Sequence, residues 1–116
     1  MTDITIRRAS ASDADRLAHI GAATFLESYV ELIEGNAIVA HCTHQHSAAV
    51  YAKYLADPAC SVWLAEYAAT GAPIGYVVNC PPDLPIPLQP GDVELKRISV
   101  LSRFHGSGTG PRLIEA

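Results

Sequence analysis

Residues 92–116 read D-V-E-L-K-R-I-S-V-L-S-R-F-H-G-S-G-T-G-P-R-L-I-E-A, which predicts a buried strand, a glycine loop and the start of a helix. Gly106, Gly108 and Gly110 form the loop, and Pro111 is predicted to open the helix. Backbone N–H groups at the start of a helix have no intrahelical partner, and the helix dipole adds positive potential there. Glycine permits positive φ and lets a phosphate approach without meeting a Cβ. The pattern therefore predicts a site for a phosphate-bearing ligand.

The spacing of the glycines excludes two common phosphate sites. A P-loop requires G-x-x-x-x-G-K-[ST], and no lysine follows these glycines. A dinucleotide-binding fingerprint requires G-x-G-x-x-G and an acidic residue about 20 positions later, whereas the spacing here is G-x-G-x-G. The remaining pattern is H-x-x-G-x-G, which runs from His105 to Gly110 behind an apolar strand.

This pattern resembles motif A of the GNAT (GCN5-related) N-acetyltransferases, which is [QR]-x-x-G-x-[GA] after the fourth strand of that family. The agreement extends on both sides of the loop, from L-K-R-I-S-V-L to R-L-I-E-A. The opening phrase I-T-I-R-R-A-S-A-S-D-A-D-R-L resembles the first strand and helix of the family, and G-A-P-I-G-Y-V-V resembles its third strand. The resemblance is poor over residues 30–60 and 80–91, where members of the family build their acceptor pockets.

Members of the family continue past motif A with a fifth strand, a fourth helix and two further strands. The resemblance therefore implies a chain that is C-terminally truncated after motif A. Three explanations stay open: a fragment of a longer product, an exchanged or tightly paired oligomer, and an inactive remnant. We expect the fourth strand to present an exposed edge, through which a homodimer would form.

Composition indicates one domain over residues 1–116, because the chain is short and 49% hydrophobic. The net charge of −4 gives no electrostatic reason to expect nucleic acid or an anionic membrane as partner. No apolar run approaches the roughly 20 residues of a membrane span, and the N-terminus lacks the order of a secretory signal. Cys42, Cys60 and Cys80 are odd in number and scattered, so we expect three reduced thiols in a cytoplasmic protein.

The fold class predicted from these patterns is α/β (α+β), a partial GNAT fold with a mixed, mostly antiparallel sheet in the order β-α-α-β-β-β-α. The first helix is predicted to begin with a capping box of Ser12 and Asp15 and to run to about Tyr29. One further helix is predicted from Thr43 or Ser47 to Leu55. The predicted strands are residues 4–9, 61–67, 73–79 and the apolar stretch after Asp92, with a hairpin turn at 69–72.

The resemblance implies acetyl-CoA as co-substrate, with its pyrophosphate on the loop at residues 105–110. The backbone of Ile98 and Val100 would pair with the pantetheine arm, and the N–H of Ile98 would polarise the thioester. His105 stands where the family has Gln or Arg, and it either donates to a phosphate or caps the structure. The residues implied for the cofactor are Ile98, Val100, His105, Gly106, Ser107, Gly108, Thr109 and Gly110.

Glu94 is the candidate general base, because some members of the family carry a glutamate at this place on the fourth strand. An amine is mostly protonated at neutral pH, and a carboxylate can accept its proton directly or through water. The alternative is a solvent-facing glutamate paired with Lys96. Phe25 and Tyr29 are candidate acceptor contacts at the end of the first helix, and core packing is the alternative for both.

The segment H-C-T-H-Q-H at residues 41–46 has metal-ligand residue types, but it lacks a second Cys/His cluster, so no metal is expected. Two functions remain. The first is an acyl-CoA N-acyltransferase acting on an amine whose identity the sequence does not give. The second is a non-catalytic CoA-binding or interaction module.

Overall fold

The computed structural model describes residues 3–80, 94–106 and 108–115. The helices and strands, in chain order, are β1 (Ile4–Arg8), α1 (Ala14–Tyr29), α2 (Gly35–Gln45), α3 (Ala48–Ala56), β2 (Ser61–Tyr67), β3 (Ala72–Cys80), β4 (Glu94–Val100) and α4 (Thr109–Glu115). Single turns of 3-10 helix precede α1 and follow β4. In this part of the chain no helix is long and apolar enough to cross a membrane.

The strands form one sheet in the order β1-β2-β3-β4, and each neighbouring pair is antiparallel. This confirms the predicted fold class. The strands and the end of α1 lie within a residue or so of their predicted bounds. The sheet has helices on both faces, because α1 and α3 pack on one face and α4 packs on the other. Strands covered on both faces are apolar at nearly every position, as β2 and β3 are.

The segment between β1 and β2 contains one helix more than predicted. Glu34 caps α2, and its carboxylate accepts from the backbone N–H groups of Asn36 and Ala37. Ser47 caps α3 and accepts from the N–H of Val50 at 3.3 Å. Gly35 therefore begins a helix that the sequence did not predict. A glutamate is a weak N-cap signal compared with Ser, Thr, Asp or Asn, which explains why α2 was missed.

The capping box at the start of the first helical segment lies two residues earlier than predicted. Asp13 Oδ2 accepts from the backbone N–H of Ser10 at 2.7 Å and from its hydroxyl at 3.2 Å. Asp13 is buried and also binds Arg7, with 2.8 Å between Oδ1 and Nη2. Hydrogen bonds from Arg7 hold the pKa of Asp13 well below its usual range. Arg7 also binds Glu66 of β2, so one guanidinium joins β1, β2 and the entry to α1.

Two apolar clusters anchor the helices to the sheet. Leu17 and Ile20 of α1 and Tyr51 of α3 pack on one face of β2 and β3, together with Leu64 and Tyr76. The other face packs against Leu113 of α4, and its cluster consists of Ala65, Ile74, Val77 and Leu113. All these side chains are almost fully buried. The clusters fix α1 and α4 on opposite sides of the strands, which places the two clefts described below.

The expectation of three reduced thiols is wrong, because Cys60 and Cys80 form a disulfide. The register of β2 and β3 pairs Ser61 with Asn79, so the next residues outward lie opposite each other with their Cα atoms 4.2 Å apart. The signal was present in the sequence, since Cys60 lies nine residues before the predicted hairpin turn at 69–72 and Cys80 lies eight residues after it. Cys42 is free, and burial raises the pKa of its thiol.

Candidate active site

One edge of β4 is open in the described part of the chain. The N–H of Leu101 donates to the carbonyl of Ile74 at 2.8 Å, and Ser99 lies opposite Tyr76 in the same register. In an antiparallel pair, alternate residues direct both backbone groups to the partner strand, and the residues between them direct theirs away. Ile98 and Val100 therefore present their backbone groups to the edge that faces away from β3. No described strand pairs with that edge.

A cleft of about 590 Å³ lies between this edge and the glycine loop, and we call it the loop cleft. The fold thus brings together most of the residues predicted to bind a cofactor. Those that line the cleft are Ile98, Val100, His105, Gly106, Gly108 and Gly110. Thr109 is buried, so its side chain points away from the cleft surface. Ser107 lies outside the described residues.

The backbone of the loop needs glycine at two of its three glycine positions. Gly106 and Gly108 have φ of +83° and +86°, which side chains with a Cβ rarely adopt. Gly110 has no positive φ, and a Cβ placed on it would meet nothing within 4 Å. The fold itself therefore does not require glycine at position 110, and a ligand approaching from the cleft is the remaining physical reason for a small residue there.

Helix α4 begins at Thr109, so the prediction that Pro111 opens it is wrong by two residues. Pro111 is the third residue of the helix, where a missing N–H still costs no intrahelical bond. Arg112 makes the bond expected after the first turn, with its N–H donating to the carbonyl of Gly108 at 3.1 Å. The start of α4 therefore lies within the glycine loop, and the first N–H groups of the helix belong to residues of that loop.

His105 folds back onto β4. Its Nε2 lies 2.8 Å from the carbonyl oxygen of Val100, and since a carbonyl only accepts, Nε2 carries the proton. This contact is the structural capping role that the sequence offers as the alternative to a phosphate contact for His105. The same hydrogen bond uses the carbonyl of Val100, which is one of the backbone groups on the open edge of β4. The N–H groups of Ile98 and Val100 and the carbonyl of Ile98 remain on that edge.

A second cleft of about 560 Å³ lies on the α1 side of β4, and we call it the helix cleft. Phe25 and Tyr29, the predicted acceptor contacts, both line it. Phe25 stacks on His41 with 3.9 Å between ring centroids, and its ring centroid lies 4.7 Å from that of Tyr29. Phe25 is only partly buried and Tyr29 is 40% exposed, so the pair forms a cleft wall and not part of the main core.

The floor of the helix cleft is a polar network that the sequence did not reveal. Arg97 Nη1 donates to the carbonyl of Gln45 at 2.7 Å and to the hydroxyl of Tyr51 at 3.0 Å. The hydroxyl of Tyr51 donates to that of Tyr76 at 3.1 Å and lies 2.8 Å from His46 Nδ1. Burial, the charge of Arg97 and the neighbouring His41 lower the pKa of His46 to about 4. His46 is therefore neutral at physiological pH.

The two clefts meet at β4. Ile98 and Ser99 line both of them, and the alternation of the strand assigns its side chains to opposite faces. Ser99 lies opposite Tyr76 on the α1 face, whereas Ile98 lies opposite Val77 on the α4 face. A molecule in the loop cleft and a molecule in the helix cleft would therefore meet at the backbone of these two residues.

Glu94 is the first residue of β4 and lies opposite Cys80 in the register. Its side chain is outside the described part of the structure, so its predicted role stays a prediction. A different glutamate supports the site: Glu27 Oε1 accepts from the backbone N–H of Ser102 at 2.7 Å. This contact ties α1 to the turn that follows β4.

Among residues 3–80, 94–106 and 108–115, no group of three or more His, Cys, Asp or Glu side chains is arranged to hold a metal ion.

Comparison with solved structures shows that this is the fold of the GNAT N-acetyltransferases. The chain matches the PaiA N-acetyltransferase from Thermoplasma acidophilum, a complex with coenzyme A, over 97% of its own length and 68% of that chain, with a TM-score of 0.78 and 15% identity. It matches a GCN5-related N-acetyltransferase from Ralstonia eutropha JMP134 over 97% and 72% of the two chains, with a TM-score of 0.69 and 20% identity.

An aminoglycoside acetyltransferase from an uncultured soil metagenomic sample matches over 97% of this chain and 68% of its own, with a TM-score of 0.69 and 16% identity. No family model and no curated protein matches the sequence. The predicted resemblance to the family is thus confirmed by three-dimensional structure.

The depressed pKa of His46 predicts a loss of stability in mild acid. The unfolded chain binds a proton at this position as pH falls through about 6.5, and the folded chain does not until about pH 4. Stability should therefore fall between those values, by on the order of 2 kcal/mol. Urea unfolding at pH 7 and pH 4.5 measures this loss, which His46→Gln should remove. The exposed His44→Gln is the control and should keep the wild-type loss, whereas equal losses in all three proteins would contradict the assignment.

Proposed function

We propose that this protein transfers an acetyl group from acetyl-CoA to an amine by direct attack, without a covalent enzyme intermediate. The observation that carries the proposal is the meeting of the loop cleft and the helix cleft at Ile98 and Ser99. Direct transfer needs donor and acceptor to touch at one point while each is held in a site of its own. The fold shared with N-acetyltransferases, one of them in complex with coenzyme A, supports the same reaction class.

The loop cleft fits coenzyme A by its chemistry. Two glycines with positive φ, Gly106 and Gly108, and the uncrowded Gly110 offer backbone N–H groups at the start of a helix, which is the arrangement that binds a pyrophosphate. Ser107 and Thr109 would add their N–H groups to the same site. The open edge formed by Ile98 and Val100 would pair with the amide-bearing pantetheine arm as a strand would. His105 would donate to a phosphate from Nδ1 only in its imidazolium form, since Nε2 already donates to Val100.

The reaction needs few groups from the protein. Acetyl-CoA supplies an activated thioester, so the protein has to position it, polarise its carbonyl and deprotonate the amine. The N–H of Ile98 would donate to the thioester carbonyl. Glu94 would accept the proton that the amine loses as its N–C bond forms and the C–S bond breaks. Phe25 and Tyr29 would contact the acceptor from the wall of the helix cleft.

The second candidate is a non-catalytic CoA-binding module. The solved N-acetyltransferase structures extend well beyond the part that this chain matches, which keeps the candidate open. One observation distinguishes the two candidate functions: an increase in thermal stability on addition of acetyl-CoA, without acetylation of any amine, would favour the module.

We also propose that a second copy of the chain pairs at the open edge of β4, in competition with the pantetheine arm.

A substitution at Gly110 tests the phosphate site without disturbing the fold. Asp is favourable in the first turn of a helix, and a Cβ here meets nothing, so Gly110→Asp should fold normally. Its charge would face the pyrophosphate and should weaken acetyl-CoA binding by about tenfold or more, measured by calorimetric titration. Gly110→Ala is the matched control and should bind almost as the wild type does, because motif A accepts alanine there. Equal affinity of the Gly110→Asp variant and the wild type for acetyl-CoA would show that the pyrophosphate does not bind at this loop.

Replacing Glu94 with glutamine, the corresponding amide, tests its role as a base. Glu94→Gln should lower kcat by about 100-fold and abolish the acidic limb of the pH–rate profile, because the amide cannot accept a proton. The affinity for acetyl-CoA, measured on the same preparation, should stay at the wild-type value and so serves as the control for folding. A variant with full turnover across the pH range would exclude Glu94 from the mechanism.

A further inference from the structure

The charge of the helix cleft is positive. Arg97 lies in its floor, and none of the residues that line it in the described part of the structure is an aspartate or glutamate. Glu27, on the same helix as Phe25, is not among the residues that line the cleft, and its carboxylate instead binds the backbone of Ser102. The neighbouring His46 is neutral near pH 7, so the cleft presents the guanidinium as its fixed charge.

The guanidinium of Arg97 is held in place and is only partly used. Nη1 makes the contacts to Gln45 and Tyr51, whereas Nε and Nη2 make no hydrogen bond to any described residue. The group also lies over the rings of Tyr51 and Tyr54, 5.3 and 5.5 Å from their centroids, which fixes its plane. An oriented guanidinium whose Nε and Nη2 bind no described residue is suited to a carboxylate, since the two groups match in planar two-bond geometry.

This arrangement disfavours acceptors that carry only positive charge. A second ammonium group in the cleft would face Arg97 with no described carboxylate to balance it, and like charges at close range are repulsive. An acceptor with a carboxylate near its amine would instead pair with Arg97 while the amine reaches the meeting point at Ile98 and Ser99. Arg97 and Ile98 are adjacent in the chain, which favours a short separation between the two groups.

We propose that the acceptor is a free amino acid, whose carboxylate pairs with Arg97 and whose side chain contacts the wall of Phe25 and Tyr29. The inference rests on the proposed acetyl transfer and assigns its substrate class. Arg97 is then a specificity-determining residue, and it affects the choice of acceptor without taking part in bond making.

The test compares acceptors that share an amine and differ in charge. Thiol release from acetyl-CoA is measured with phenylalanine, phenylalaninamide and the polyamine spermidine. We expect kcat/KM for the amino acid to exceed that for the amide by about tenfold or more, the difference appearing mainly in KM. Arg97→Gln should bring the ratio close to one, and Arg97→Lys should restore part of it. The exposed Arg8→Gln is the control of equal charge change and should keep the wild-type ratio.

A second measurement does not depend on turnover. N-acetylphenylalanine and N-acetylphenylalaninamide, the products of the two reactions, are titrated into the wild-type protein and followed by NMR. The acid should bind at least about tenfold more tightly than the amide. Because Arg97 also supports the fold, urea unfolding of its variants is recorded, and the comparison of acid with amide in the wild type stands even if a variant unfolds.

The outcomes separate the two proposals. Equal use of amino acid and amide, or a preference for spermidine, overturns the assignment of the carboxylate and leaves acetyl transfer standing. Preferential binding of the acetylated acid without turnover of any amine supports the carboxylate site and contradicts the proposed transfer. If neither acetylated compound binds at about 10 mM and none of the acceptors is preferred, the assignment of Arg97 is overturned.

Discussion

The hydrogen bond from the N–H of Leu101 to the carbonyl of Ile74 sets the register on which the site depends. In this register the backbone groups of Ile98 and Val100 point to the open edge of β4. The side chains of Arg97 and Ser99 lie on the face of the sheet that packs against α1. A shift by one residue would exchange the two sets and close the edge to a ligand. Gly75 lies where the two strands leave no room for a Cβ, which would come within 2.9 Å of the Ser99 carbonyl oxygen. The register thus depends on a glycine as well as on a hydrogen bond.

Helix α1 links the two clefts to the sheet. Leu17 and Ile20 fix it to the core, and Phe25 one turn further along forms the wall of the helix cleft. Gly21 lets the polar network come close, because a Cβ on it would lie 2.6 Å from His46 Nδ1. Glu27 then binds the N–H of Ser102 beyond the end of β4. Movement of α1 would therefore change the wall of the helix cleft and the approach to the glycine loop together, and the proposed reaction needs both clefts aligned.

The sequence predicted the features that depend on local pattern and missed those that depend on distant contacts. The resemblance to motif A implied that Ile98, Val100 and the glycine loop belong to one site, and the fold brings them to one cleft. The network of Arg97 and Tyr51 joins residues 46 positions apart, and no local pattern reports such a contact. Helix α2 gives a weak local signal because its cap is a glutamate. The disulfide depends on the register of the hairpin, which the number and spacing of the cysteines do not report. The disulfide and the Arg97 network thus come from tertiary structure, whereas α2 is hidden by a weak local signal.

The proposed function requires the open edge of β4 and the glycine loop to bind acetyl-CoA together. Amide hydrogen exchange followed by NMR, with and without acetyl-CoA, tests this requirement because it reports single N–H groups. Addition of acetyl-CoA should slow exchange at Ile98, Val100, Gly106 and Gly108. The N–H groups of Ser99 and Leu101, which already face β3, should change little by comparison. Protection that is confined to other parts of the chain, or equal for alternate residues of β4, would exclude acetyl-CoA from this edge and loop.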